Sequence, residues 1–192
     1  MKEKKKKEKR KTEILISGFG GQGIMSLGKF LAKAALREGK YTTYFPSYGA
    51  EMRGGTAHCC VKISDSPIAS PFQGHPDVAL IFNQPSLDKF KNKLKKGGIL
   101  IFNSDLMSGK PSFDNIRGVS LPLSRIALEC GNIKVANVVA LGALLSLDPS
   151  IFKKETLVKA LGEAFKDQNT INQNLKALEQ GQALLGKSEE KK

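Results

Sequence analysis

Four glycines within six residues, Gly18, Gly20, Gly21 and Gly23, interrupt an apolar run at residues 14–28, ILISGFGGQGIMSLG. A turn with so few Cβ atoms lets a phosphate or another backbone come close. Gly18, Gly20 and Gly23 satisfy G-x-G-x-x-G between a strand-like Ile14-Leu15-Ile16 and a helix-like continuation, the context of a dinucleotide turn. The competing nucleoside-triphosphate template, G-x-x-x-x-G-K-[ST], fits Gly18 and Gly23 but needs a lysine and a hydroxyl where Ile24 and Met25 stand. A nicotinamide site also calls for a carboxylate ending the second strand, roughly 20 residues past the glycines. Here that strand, Tyr41 to Phe45, runs into Pro46-Ser47-Tyr48-Gly49, and the nearest acid, Glu51, follows in a loop. The turn is therefore open to three occupants: a dinucleotide, a different phosphate-bearing ligand, or a neighbouring subunit.

The loop PSYGAEMRGG at residues 46–55 supplies the second candidate group. Arg53 can grip a phosphate or carboxylate in a bidentate fashion, or pair with Glu51 or another subunit's carboxylate. Gly54 and Gly55 leave room for close approach. His58-Cys59-Cys60 looks reactive, but alternation along a strand puts His58 and Cys60 on one face and Cys59 on the other. No third ligand or orienting acid completes that pair, so the cysteines read as small buried hydrophobes. His75 beside Pro76 reads as an exposed loop residue. The chain shows no serine triad, carboxylate pair or metal cluster.

These groups must be positioned by alternating strands and helices. The glycine turn opens a helix that Gly39 closes, and Thr56 to Ile63 reads as a strand. Residues 65–77 form an excursion, and Asp77 to Phe82 is a continuous apolar run of the buried parallel-strand kind. A helix from about Asn83 to Leu94, with Pro85 and Ser86 competing to start it, ends at Gly97-Gly98. Ile99 to Phe102 is the next strand, and Val119 to Leu121 a last edge strand. Helices follow over Ile133 to Leu147, which should be largely buried, then near Lys154 to Lys166 and Asn172 to Leu185. In the last, Leu175, Leu178, Ala183 and Leu185 supply an apolar stripe. The expected fold is α/β, a Rossmann-like, doubly wound, mostly parallel sheet with a helical C-terminal portion. Ligands of such sheets bind beyond the carboxyl ends of the strands, which would gather the glycine turn, the PSYGAEMRGG loop, and Asn83 or Asn103 at one edge.

The chain has 192 residues, 40% hydrophobic, enough to bury a core in one domain. The expected division is a disordered basic tail at 1–11, one α/β domain at 12–186 and a charged tail at 187–192. No apolar run approaches the roughly 20 residues that span a bilayer, and no cleavage site follows the basic start. Cys59, Cys60 and Cys130 include no C-x-x-C pair; with the missing leader this points to the cytoplasm. Of the net charge of +13, residues 1–11 carry eight basic and two acidic side chains, hence +6. Such a segment solubilises, or touches nucleic-acid phosphates nonspecifically, but no nucleic-acid-binding signature accompanies it.

GFGGQGIMSLGKFLAKAAL, YFPSYGAEMRGGTAHCCVKIS, SPIASPF, PDVALIFN, KKGGILIFNS and ANVVALGAL together resemble the gamma subunit of 2-oxoacid:ferredoxin oxidoreductases, from about Thr12 to Leu147. The wording of PSYGAEMRGG is most similar to the 2-oxoglutarate type, with branched-chain 2-oxoacid versions close to it. The resemblance implies a complex that decarboxylates a 2-oxoacid with thiamine diphosphate and Mg2+, transfers the acyl group to coenzyme A and passes electrons through iron–sulfur clusters to ferredoxin. It implies alpha and beta partner subunits, with a small ferredoxin-like delta subunit in some complexes, and no cofactor held by this chain alone. By matching position it marks Gly18, Gly20, Gly21, Gln22, Gly23, Ser47, Tyr48, Gly49, Glu51, Arg53, Gly54 and Gly55 as the coenzyme A-side edge, with Gln22 and Arg53 as polar contacts. The lysine-rich residues 1–11 lie outside the family pattern. The rival readings are a stand-alone NAD(P)-binding oxidoreductase and a basic nucleic-acid-binding module.

Overall fold

The structure is a computed structural model that describes residues 10–47, 56–72, 74–109 and 111–189, with side chains to residue 185. Six strands form one sheet: β1 (Lys11–Phe19), β2 (Tyr41–Ser47), β3 (Thr56–Ser64), β4 (Val78–Ile81), β5 (Ile99–Asn103) and β6 (Arg117–Leu121), in the spatial order β2-β3-β1-β4-β5-β6. β1, β4, β5 and β6 run parallel, while β3 is antiparallel to both β1 and β2. Five strands thus share one direction and β3 opposes them. The α/β, mostly parallel arrangement agrees with the alternation of elements, with one addition: β3 is inserted between β1 and β2. Eight residues separate β2 from β3, and strands joined by a short connection return antiparallel.

Helices cover both faces. On one side β1 presents Ile14 and Ile16, β4 Val78 and Leu80, and β5 Ile101, packed against α1 (Ile24–Arg37), α3 (Leu123–Glu129), α4 (Ala136–Leu147), α5 (Lys154–Ala164) and α6 (Gln168–Glu189). On the other, Leu15, Ala79, Ile81, Leu100 and Phe102 meet Leu87 and Phe90 of α2 (Gln84–Phe90). This two-sided burial is why Val78 to Ile81 reads as an unbroken apolar run. α4 is buried at nine of its twelve positions, as its all-round apolar sequence requires.

Several elements differ from expectation. α2 starts after Asn83, whose Oδ1 accepts from the Ser86 N–H at 2.9 Å; Asn83 is the N-cap, and Pro85 falls within the first turn. The helix ends at Phe90 and passes into a single 3₁₀ turn at Lys91–Lys93, short of Leu94. α3 was not anticipated, because its seven residues are too few to establish a period. Pro46 and Ser47 belong to β2, an edge strand that tolerates proline, and not to the following loop. α6 begins at Gln168, and its buried side chains include Ala177 and Leu178, whereas Ala183 is exposed. α6 crosses α4 with backbones in contact: a Cβ on Gly181 would lie 2.0 Å from the Val139 carbonyl oxygen. β1 takes in Lys11, which pairs with Ser64, and α6 extends to Glu189.

β1 and β3 also carry a buried ion pair. Glu13 and Lys62 face each other in register, with Nζ 3.6 Å from Oε2 and both side chains almost fully enclosed. Lys62 also donates to the carbonyls of Ser70 and Phe72, and Glu13 Oε1 accepts from the Gly74 N–H at 2.6 Å. The excursion at residues 65–77 is thereby tied to the sheet through two charges that no periodicity argument exposes.

Candidate functional site

The glycine turn leaves the carboxyl end of β1 and enters α1. Phe19 closes it: the Gln22 N–H donates to the Phe19 carbonyl at 3.3 Å, and the Phe19 N–H donates to Gln22 Oε1 at 2.6 Å. Gln22 Nε2 reaches the Phe82 carbonyl at 3.4 Å, so this side chain clamps the turn to the end of β4. Gly23 is the N-cap of α1, in the left-handed region at φ 73°, and no side chain caps the helix. Its carbonyl accepts from Asn137 Nδ2 at 3.2 Å, where any Cβ on Gly23 would sit 2.4 Å from that nitrogen. Gly21, at φ 90°, and Gly20 have no neighbour within 4 Å of an added Cβ among the described residues, while a Cβ on Gly18 would strike Gln22 Oε1 at 2.4 Å and Phe82 Cβ at 2.9 Å. The four glycines thus divide: Gly18 and Gly23 are tightly enclosed by the protein itself, and Gly20 and Gly21 are not enclosed by any of the described residues.

The strand ends beside the turn assemble as the topology requires. Ser47 of β2 pairs with His58 of β3, which pairs in turn with Ser17 of β1. The Ser17 hydroxyl lies 2.9 Å from that of Ser86 and 3.2 Å from the Ala57 carbonyl. Ser47, the glycine turn and Asn83 therefore share one edge. Asn103, at the end of β5, is buried there too and holds Ser124 at 2.8 Å. Tyr48, Gly49, Glu51, Arg53, Gly54 and Gly55 lie outside the described residues.

His58 and Cys60 do point to the face opposite Cys59. The His58 ring lies 4.9 Å from that of Phe90, and Cys60 donates its thiol to Glu13 Oε1, while Cys59 packs under α1. Burial, followed by the charges of Lys89 and Lys93, pushes His58 down to about 4. Burial pushes the Cys59 thiol up to about 12, and raises Cys60 further with help from the adjacent Glu13. These are inert thiols and a neutral imidazole, unsuited to nucleophilic work. Among the described residues no group of three His, Cys, Asp or Glu side chains could hold a metal, and no helix is long and apolar enough to cross a membrane.

A cleft of about 670 Å³ extends from Gly21 and Gly23 along the outer face of α1, walled by the start of α4, the end of α5 and the start of α6. Lys29, Lys33 and Arg37 line it at four-residue intervals, with Lys134 across from them. None of these was singled out from the sequence. Their i, i+4, i+8 spacing was the visible signal, masked because a helix facing solvent is also expected to carry lysines.

Comparison with known proteins places this geometry. Residues 13–184 match the family described as pyruvate ferredoxin/flavodoxin oxidoreductase. The 2-oxoglutarate synthase subunit KorC of Methanocaldococcus jannaschii is 39% identical over 183 residues, covering 92% of this chain and 95% of that one. The ketoisovalerate oxidoreductase subunit VorA of Methanothermobacter marburgensis is 39% identical over 175 residues, 91% of this chain but 36% of VorA, so the chain spans about a third of that longer relative. Among solved structures, the gamma subunit of a keto/oxoacid ferredoxin oxidoreductase from Geobacter sulfurreducens superposes with a TM-score of 0.76 at 35% identity, covering 88% of this chain and 95% of that one. The 2-oxoglutarate:ferredoxin oxidoreductase of Magnetococcus marinus, solved with 2-oxoglutarate, coenzyme A and succinyl-CoA bound, gives 0.83 at 29% identity, covering 93% of this chain and 31% of that one. The turn clamped by Gln22, the inserted β3 and the helical C-terminal layer are thus those of a chain that belongs to the pyruvate ferredoxin/flavodoxin oxidoreductase family.

Proposed function

We propose that the chain is the gamma subunit of a cytoplasmic 2-oxoacid:ferredoxin oxidoreductase acting on 2-oxoglutarate, inactive alone and assembled with alpha and beta subunits. The carrying observation is the end-to-end match to a 2-oxoglutarate synthase subunit, 95% of whose length is covered at 39% identity. VorA shares the same identity but is a much longer chain, which makes a branched-chain 2-oxoacid the second reading. Thiamine diphosphate, Mg2+ and iron–sulfur clusters belong to the partner subunits on this reading. Coenzyme A fits differently. Gly20 and Gly21 present backbone with none of the described residues within 4 Å of where a Cβ would stand, at an N-terminus of α1 without a side-chain cap, which suits an anionic group.

The turn from Gly18 to Gly23 together with residues 47–55 forms the coenzyme A-side edge, with Arg53 as the direct polar contact and Gln22 fixing the turn. Affinity-tagged chain purified from its own cells should carry thiamine-dependent alpha and beta partners and reduce ferredoxin with 2-oxoglutarate and coenzyme A. Elution of the chain alone refutes the subunit reading, and faster turnover with 2-oxoisovalerate refutes the substrate. Within the complex, Arg53→Ala should raise the KM for coenzyme A and leave assembly intact. An unchanged KM assigns Arg53 to structure.

A further inference from the structure

We propose that β2 is a self-pairing edge: two copies of the chain join through it, antiparallel, about a two-fold axis at Thr43, so that their two six-stranded sheets become continuous. β2 ends the sheet, with β3 on one side and no strand on the other among the described residues. Edge strands are ordinarily guarded by charge. The opposite edge, β6, carries Arg117, whereas Tyr41–Ser47 holds no charged residue and its one guard, Pro46, stands near the end.

The register follows from the backbone. The Asp65 N–H donates to the Arg10 carbonyl at 3.0 Å, so Asp65 and, by alternation, Ile63, Val61 and Cys59 turn their backbone groups toward β1. Ser64, Lys62 and Cys60 then face β2, and their partners Tyr41, Thr43 and Phe45 face back. The even-numbered residues of β2 point outward, among them Pro46, where a missing N–H removes no bond to β3. Against an antiparallel copy the odd-numbered residues therefore form the close pairs, with Cα atoms about 4.5 Å apart and side chains on one face. With the axis at Thr43, Tyr41 opposes Phe45 of the second copy, Thr43 opposes its equivalent, and Lys40 falls opposite Pro46. Tyr41 and Phe45, 50% and 37% exposed, thus each gain an aromatic partner. Moving the axis to Thr42 or Tyr44 sets these aromatics against Thr43, Ser47 or Gly39 instead. The Thr43 hydroxyl has no hydrogen-bond partner among the described residues, and turned about χ1 toward the axis it meets the equivalent hydroxyl. Phe72 enlarges the aromatic face: 66% exposed, its ring lies edge-on to Phe45 at 5.5 Å, and the buried Lys62 donates to its carbonyl.

The inference rests on β2 and is separate from the substrate and coenzyme A readings. Its test is sedimentation velocity of the full chain over a concentration series, with disulfide trapping under mild oxidation. Cys59, Cys60 and Cys130 are buried and leave the trap to introduced thiols. Thr43→Cys should form a covalent dimer, Tyr41→Cys should not, and Tyr41→Cys/Phe45→Cys should. Tyr41→Lys alters an exposed position, removes both symmetry-related aromatic pairs and should weaken dimerisation about tenfold. An unchanged melting temperature in each variant verifies the fold. A chain that stays monomeric up to about 0.5 mM overturns the inference, as does the absence of a covalent Thr43→Cys dimer. So does a dimer that Tyr41→Lys leaves unchanged, which would use another face, or trapping by Tyr41→Cys as efficient as by Thr43→Cys, which would reject the register. In the complex purified with its partner subunits, Thr43→Cys linked to a different subunit gives the edge to that subunit and likewise overturns it.

Discussion

Alanine substitution at Gly20, Gly21 and Gly23 should separate what backbone strain costs from what enclosure costs. Gly20 has no positive φ, and none of the described residues lies within 4 Å of an added Cβ, so Gly20→Ala should change stability by no more than about 0.5 kcal/mol. Gly21, at φ 90° and equally open, incurs only the left-handed penalty, about 1–2 kcal/mol. Gly23, at φ 73°, incurs the same penalty and also places a Cβ 2.4 Å from Asn137 Nδ2. Relief requires Asn137 to move, which breaks its 3.2 Å bond to the Gly23 carbonyl, worth about 1 kcal/mol. Together these give about 2–3 kcal/mol, which for a chain of this size lowers the melting temperature by roughly 4–12 °C. Thermal unfolding followed by circular dichroism, in all three variants, reads the order directly. Adding Asn137→Ala to Gly23→Ala should recover part of the loss, because the obstructing amide is then gone. A Gly23→Ala variant that melts within about 1 °C of Gly20→Ala would refute the enclosure argument, since strain and clash both predict a larger loss.

Four other perturbations address the interior. Lys62→Met leaves the Glu13 carboxylate buried without its ammonium and should cost about 3–5 kcal/mol in urea denaturation, while Glu13→Gln/Lys62→Met should be milder than that single change. Gly181→Ala drives a methyl to within 2.0 Å of the Val139 carbonyl; its helix-propensity gain of about 1 kcal/mol should be outweighed and the melting temperature should fall. Because His58 is pushed down to about 4, the unfolded chain binds more protons between pH 6.5 and 4; stability should decline as pH falls through that window, less steeply in His58→Phe. With burial holding Cys59 up to about 12, a thiol reagent at pH 8 should label Cys59 and Cys60 only after denaturant is added.

The strands buried on both faces were legible because an unbroken apolar run such as Val78 to Ile81 has few other uses after a proline. α1 was legible from the turn that opens it and the glycine that closes it. Pairing order was not. β3 lies between β1 and β2, and the alternation of Thr56 to Ser64 fits either neighbour; only the register of three strands together decides it. The Glu13–Lys62 pair was hidden for a related reason. Each charge interrupts an apolar strand and would be assigned to solvent, until the antiparallel pairing sets the two side chains opposite one another. Asn83 and Asn103 were placed at the correct edge, yet their capping work depends on backbone N–H groups two and three residues downstream, at Asp105 and Ser86.

The glycine turn shows how one spacing can serve two purposes. In G-x-G-x-x-G the first glycine serves the tight turn, the second the approach of a phosphate and the third close packing of the helix. Gly18 and Gly23, the outer pair, make room for Gln22 with Phe82 and for Asn137. An alanine at either would damage the fold whether or not any ligand binds. The positions free for an outside group, Gly20 and Gly21, are the middle pair, and Gly21 opens directly onto the lysine-lined cleft. Asn137, more than a hundred residues away, fixes the Gly23 carbonyl with one amide atom, so the shape of the turn depends on a side chain that glycine spacing alone cannot encode.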